Sequence, residues 1–113
     1  MLTVTRTATL LGFRTMTATA AQADALSAQE VLALHTDQCI TYWGLSEGTQ
    51  CFSADGRTNH DDTTDGTDTG RWEMRADEMC VNWDGEAGGF DCGPIWRVDA
   101  DTFTDGDYNW TIN

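Results

Sequence analysis

Four cysteines, at positions 39, 51, 80 and 92, carry the most definite chemistry in this 113-residue chain. Thiols can bridge, hold a metal or attack a substrate, and spacing chooses among these. Structural zinc sites usually offer cysteines in close pairs two to four residues apart. Here each pair is twelve residues apart, so a site of four thiolates is the lesser alternative. The enclosed segments also repeat: Cys39-Ile40-Thr41-Tyr42-Trp43-Gly44, Gly48 and Cys51 align with Cys80-Val81-Asn82-Trp83-Asp84-Gly85, Gly89 and Cys92. Folded as hairpins centred on 45 and 86, the two segments place Cys39 opposite Cys51 and Cys80 opposite Cys92. The same registers set Tyr42 against Gly48 and Trp83 against Gly89, aromatic side chains covering bare glycines. Two disulfides are therefore expected, each closing a short loop and worth roughly 3 kcal/mol. With both formed, no thiol remains as a nucleophile.

Hard oxygen donors are the next possibility. Asp61, Thr63, Asp65 and Asp68 surround Gly66, and the string Asp61-x-Thr63-x-Asp65-Gly66 copies the first half of an EF-hand loop. Its twelfth position is Trp72 instead of glutamate and its flanks read as strand, so a solvated loop is preferred and a weak Ca2+ site is the alternative. His60, beside Asp61 and Asp62, lacks a third ligand for a transition metal. His35 falls near the end of a short helix, where it would meet the last carbonyls. Ser27, Ser46 and Ser53 sit in no nucleophile elbow, and no phosphate loop or dinucleotide fingerprint is present. Carboxylates are so plentiful that an acid–base pair is neither supported nor rejected. No catalytic residue is assigned; a binding or envelope-associated module is the leading expectation and a small secreted hydrolase using a carboxylate pair the alternative.

The elements that must position these groups follow from composition and period. All nineteen Asp and Glu lie beyond Ala23, against four arginines there and no lysine anywhere. Such a surface repels phosphate backbones, which argues against nucleic acid; a cation or an envelope protein is the compatible partner. Residues 1–23 have no acid, carry Arg6 and Arg14 and end Ala20-Ala21-Gln22-Ala23, the pattern of a secretory signal. No run approaches the eighteen or so apolar residues of a membrane span, so membrane insertion is not expected. Residues 24–113 then form one domain in the periplasm or outside the cell, where disulfides persist.

Ser27-Ala28-Gln29-Glu30 is a capping box, and Val31, Leu32 and Leu34 supply an apolar stripe, which predicts a helix to about His35 covering one end or edge of a sheet. Beyond Cys39 the texture is short aromatic and β-branched runs broken by Gly-rich turns, predicting six to eight strands. Residues 61–70 hold no apolar side chain and read as an exposed loop. Trp72 and Met74 alternate inward, Gly93-Pro94 breaks the ladder before Ile95–Val98 resumes it, and Tyr108, Trp110 and Ile112 alternate as a closing strand. Trp72, Trp83 and Trp110 are expected in the core. Trp43, at a hairpin tip, is the aromatic expected to touch a partner, together with His60 and the 61–70 segment. The fold class is mostly β: a small antiparallel β barrel or rolled meander sheet with one short N-terminal helix and two disulfide-stapled hairpins.

Thr69-Gly70-Arg71-Trp72-Glu73, Met79-Cys80-Val81-Asn82-Trp83, Cys92, Ile95-Trp96-Arg97-Val98, Asp105-Gly106-Asp107-Tyr108 and Leu26-Ser27-Ala28-Gln29-Glu30-Val31 together resemble a family of small exported proteobacterial proteins, a domain of unknown function. The resemblance implies a compact, mostly antiparallel β domain in the periplasm or beyond, with Cys80 bridged to Cys92. It implies no activity. The first cysteine pair and the aspartate-rich segment depart from the family's pattern.

Overall fold

A computed structural model describes residues 24–113, so the expected export signal at 1–23 lies outside the described residues. The helix, α1 (Ala28–His35), starts where the capping box requires. Ser27 accepts from the Glu30 amide at 3.2 Å, and its own amide donates to the Glu30 carboxylate at 3.0 Å. Thr36 leaves helical geometry and Asp37 adopts a left-handed φ of 60°, which ends the helix and turns the chain into the sheet.

Nine strands follow among the described residues, against the six to eight expected: β1 (Gln38–Gly44), β2 (Gly48–Phe52), β3 (Arg57–Asp62), β4 (Gly66–Arg75), β5 (Glu78–Trp83), β6 (Asp91–Gly93), β7 (Trp96–Arg97), β8 (Thr102–Thr104) and β9 (Tyr108–Ile112). They form one antiparallel sheet in the order β6-β5-β4-β3-β2-β1-β9-β8-β7. The strands at its two edges, β6 and β7, are separated in sequence only by Pro94 and Ile95. Three Cα steps span at most about 11 Å, so the sheet must curl until its edges nearly meet. The result is a half-barrel joined across its seam by covalent chain. Leu26 donates to the Ile95 carbonyl at 2.8 Å, pinning the segment before α1 to that seam.

The cysteine pairs stand as expected. Cys39 is opposite Cys51 and Cys80 opposite Cys92, each pair with Cα atoms 4.0 Å apart and the sulfurs bonded. Three expectations need correction. Residues 61–70 are mostly strand: β3 and β4 pair through Asp61–Thr67, His60–Asp68 and Asn59–Thr69, and only Thr63–Asp65 turn. Thr67 and Thr69 are β-branched and favour strand, while polar residues on both faces give this ladder no apolar alternation. Trp83 lies opposite Gly70 on β4 instead of Gly89, because β6 begins only at Asp91. Finally, Trp96–Arg97 does not resume the interrupted ladder; it crosses the seam and pairs with β8.

Alternation sends Ile40, Phe52, Trp72, Phe103 and Trp110 inward, where they pack with Ile95 and with Val31 of α1. Phe52 meets Trp72 edge to face at 5.1 Å. His35, wholly buried, sits among Phe52, Phe103 and Trp110. The helix thus stops one end of the curl with apolar material. The other end, beyond Tyr42 and His60, is left open.

Candidate functional site

Two glycines on neighbouring ribbons shape the open end. Tyr42 on β1, Gly48 on β2 and Asp62 on β3 stand side by side in register. Because Gly48 has no side chain, the Tyr42 ring crosses β2 and its hydroxyl donates to Asp62 Oδ2 at 2.7 Å. A Cβ at Gly48 would collide with that hydroxyl and with the Asp61 carbonyl. Gly70 does the same on β4: Trp83 leans over it and meets the His60 ring of β3 edge to face, centroids 4.4 Å apart. Each aromatic side chain is thereby carried over a bare strand to the strand beyond, and Tyr42 and Trp83 converge on the concave face.

Asp62 is the anchor. Its Oδ2 also accepts from the Ser46 hydroxyl at 2.6 Å, while Oδ1 takes the amides of Thr64 at 2.8 Å and Asp65 at 2.9 Å. Four donors on a carboxylate that is 6% exposed tie the β1–β2 turn to the β3–β4 turn. The turns also bond directly, since the Thr63 amide donates to the Glu47 carbonyl at 2.9 Å. Tyr108 of β9 completes the wall, its ring edge-on to Tyr42 at 5.5 Å.

The electrostatic consequence is a fixed protonation state at both groups. The Ser46 hydroxyl, then that of Tyr42, then the Asp65 amide hold the Asp62 carboxyl far below the usual carboxylate range, outweighing the opposing effect of desolvation. Burial, and after it the Asp62 carboxylate, push the Tyr42 phenol well above its ordinary value. Near neutral pH, Asp62 stays ionised and Tyr42 stays protonated. Neither is poised to exchange a proton with a substrate.

Between these walls runs an open groove of roughly 410 Å³. Tyr42, His60, Trp83 and Tyr108 line its polar end; Met79, Val81 and Trp110 lead toward the core. Six carboxylates line it as well, those of Asp62, Asp65, Glu86, Asp91, Asp105 and Asp107, and none of the arginines among the described residues does.

The residues singled out from sequence are divided by this geometry. His60 lies in the groove and Asp65 on its rim. Trp43, 41% exposed, alternates with Tyr42 and so faces the outer surface, away from His60. Asp61 and Asp68 are opposite Thr67 and His60 respectively, a register that sends them to opposite faces of the ribbon. Asp68 accepts the amides of Thr69 and Gly85, and the Thr63 hydroxyl donates to the Glu47 carbonyl. The four donors of the alternative calcium reading therefore do not converge. Among the described residues, no group of three or more His, Cys, Asp or Glu stands in metal-binding geometry.

Sequence reasoning missed Asp62, Ser46 and Tyr108 as a connected set. The readable signal is the glycine opposite each aromatic: Gly48 faces Tyr42 as the spacing predicts, whereas the glycine under Trp83 is Gly70 and not Gly89. No helix among the described residues is long and apolar enough to cross a membrane. Comparison with protein-family models, with curated proteins and with solved structures finds no match for this chain.

Proposed function

We propose that this is an exported, non-enzymatic β module that binds a small ligand in the groove at the open end of the half-barrel. One observation carries the reading: Trp83 is brought across Gly70, and Tyr42, itself buried, across Gly48, so that aromatic rings wall a cleft of roughly 410 Å³. Clefts of this size suit small molecules. Two disulfides and an acid-rich surface agree with export to the periplasm or the exterior. The non-enzymatic reading rests on Asp62 and Tyr42, the most enclosed ionisable pair in the groove, one held ionised and the other held protonated.

The test is a fragment screen followed by amide and indole NMR shifts on the isotopically labelled, oxidised protein. Shifts should gather on Trp83, His60 and Tyr108, and should vanish in Trp83→Leu while its circular dichroism is unchanged. Shifts absent, or gathered on Trp43 at the outer surface, would overturn the groove as the site. Turnover of ester or glycoside substrates that is lost in the same variant would overturn the non-enzymatic part.

A further inference from the structure

We infer that the groove's ligand is a small organic cation, an alkylated ammonium group on a compact apolar body; the inference rests on the groove being a binding site. Three observations on one cleft lead there. The first is its aromatic wall of Tyr42, Trp83 and Tyr108, whose ring faces carry the negative side of the aromatic quadrupole and attract cations. The second is the state of its carboxylates. Asp62 is consumed by four hydrogen bonds, and Asp105 caps its own turn by accepting the amides of Asp107 and Tyr108. The side chains of Asp65, Glu86, Asp91 and Asp107 line the same cleft, and none makes a hydrogen bond or ion pair among the described residues. The third is where the arginines went. Of the four described arginines, Arg57 pairs with Asp55 and Arg75 with Glu73, Arg97 reaches the Ala100 carbonyl and lies over Phe103, and Arg71 stands exposed on β4 opposite Arg57. None lines the groove.

Like charges gathered along a concave wall focus their potential into the cleft, which repels anions and raises the local concentration of cations. What kind of cation is decided by the walls. A bare metal ion needs oxygen donors converging on one point, and the rim carboxylates do not form such a group. An organic cation uses both features together: its apolar body lies on the rings, and its diffuse charge is matched by several carboxylates at a distance. The volume admits a body of a few carbon atoms beyond the charged group, within the range of small-molecule sites.

Choline and its uncharged carbon isostere, dimethylbutanol, separate charge from shape. Titrated into the labelled, oxidised protein and followed at the Trp83 indole, choline should bind roughly tenfold or more tightly than the isostere. Its advantage should shrink as salt is raised. The triple variant Glu86→Gln/Asp91→Asn/Asp107→Asn changes exposed side chains that make no bonds, so it should fold as the parent does. It should lose most of choline's advantage and leave the isostere's affinity in place. Equal binding of both probes would overturn the cation inference while leaving the groove as a binding site. Choline shifts confined to the outer surface, or no choline binding where fragments do bind at Trp83, would also overturn it. Fragments failing at Trp83 altogether is the separate result that removes the groove reading itself.

Discussion

Acidification from about pH 7.5 to about pH 5 should destabilise this protein through one side chain, His35, and the window follows from its surroundings. His35 is 0% exposed. Its Nδ1 lies 2.8 Å from the Val31 carbonyl, so that nitrogen carries the proton and donates. Trp110 Nε1–H donates to the other nitrogen, Nε2, at 3.1 Å. A second proton would have to enter at Nε2, where it would face another N–H, inside a shell of Phe52, Phe103 and Trp110. Burial accordingly lowers the histidine's pKa, and the Val31 carbonyl only partly opposes it. A depressed histidine pKa means that the unfolded chain binds the proton more readily than the folded one. Stability is full above the unfolded value of about 6.5 and falls as the pH drops below it, by up to about 1.4 kcal/mol per pH unit until the folded value is reached. His35→Gln removes the titration. It should also cost roughly 2–4 kcal/mol at neutral pH, through lost ring packing and an imperfectly replaced pair of hydrogen bonds. Urea midpoints for both proteins across the window then give a double difference. The gap between them should narrow steadily as the pH falls. A constant gap would refute the reasoning, and a widening gap would mean that the folded protein favours the charged ring.

Gly48→Ala should destabilise by roughly 1–3 kcal/mol, since its Cβ meets the Asp61 backbone carbonyl and the Tyr42 hydroxyl; a loss within measurement error in urea melts would show that the two strands give way freely. Tyr42→Phe should lower the melting temperature at neutral pH by removing one of the four donors on Asp62, and should do so by a similar amount down to the ordinary carboxylate range, since the folded parent and variant both keep Asp62 ionised there; no loss at neutral pH would detach Tyr42 from Asp62. Cys39→Ser/Cys51→Ser should cost roughly 3 kcal/mol in reversible unfolding, and an unchanged midpoint would mean that the ladder alone closes that hairpin. Protein recovered outside the cytoplasm should begin at Asp24 by intact mass, and retention of residues 1–23 would defeat the export reading.

Much of the frame is legible before folding because its determinants are local. The capping box of Ser27 and Glu30 needs only four residues, and the register of Cys39–Cys51 needs only a hairpin of fixed length. The β3–β4 ribbon was unreadable for the opposite reason. Its polar residues on both faces follow no apolar alternation, and its stability comes from hydrogen bonds and from turns cross-linked by Asp62. Two glycines lie within reach of Trp83 in the sequence, and only the β4–β5 ladder distinguishes Gly70 from Gly89.

The candidate site divides in the same way. Sequence alone establishes that the chain is acid-rich, supplied with four cysteines in paired spacing and built from short aromatic strands, since charge, spacing and period are written one residue at a time. Which carboxylates face the groove, and that Asp62 is spent while Glu86, Asp91 and Asp107 are not, depends on the curl of the sheet. So does the meeting of β1, β3, β5 and β9 at one open end. The sheet curls that far because Pro94 and Ile95 must carry the chain from one of its edges to the other, a long-range constraint that becomes visible only when the strand order is known.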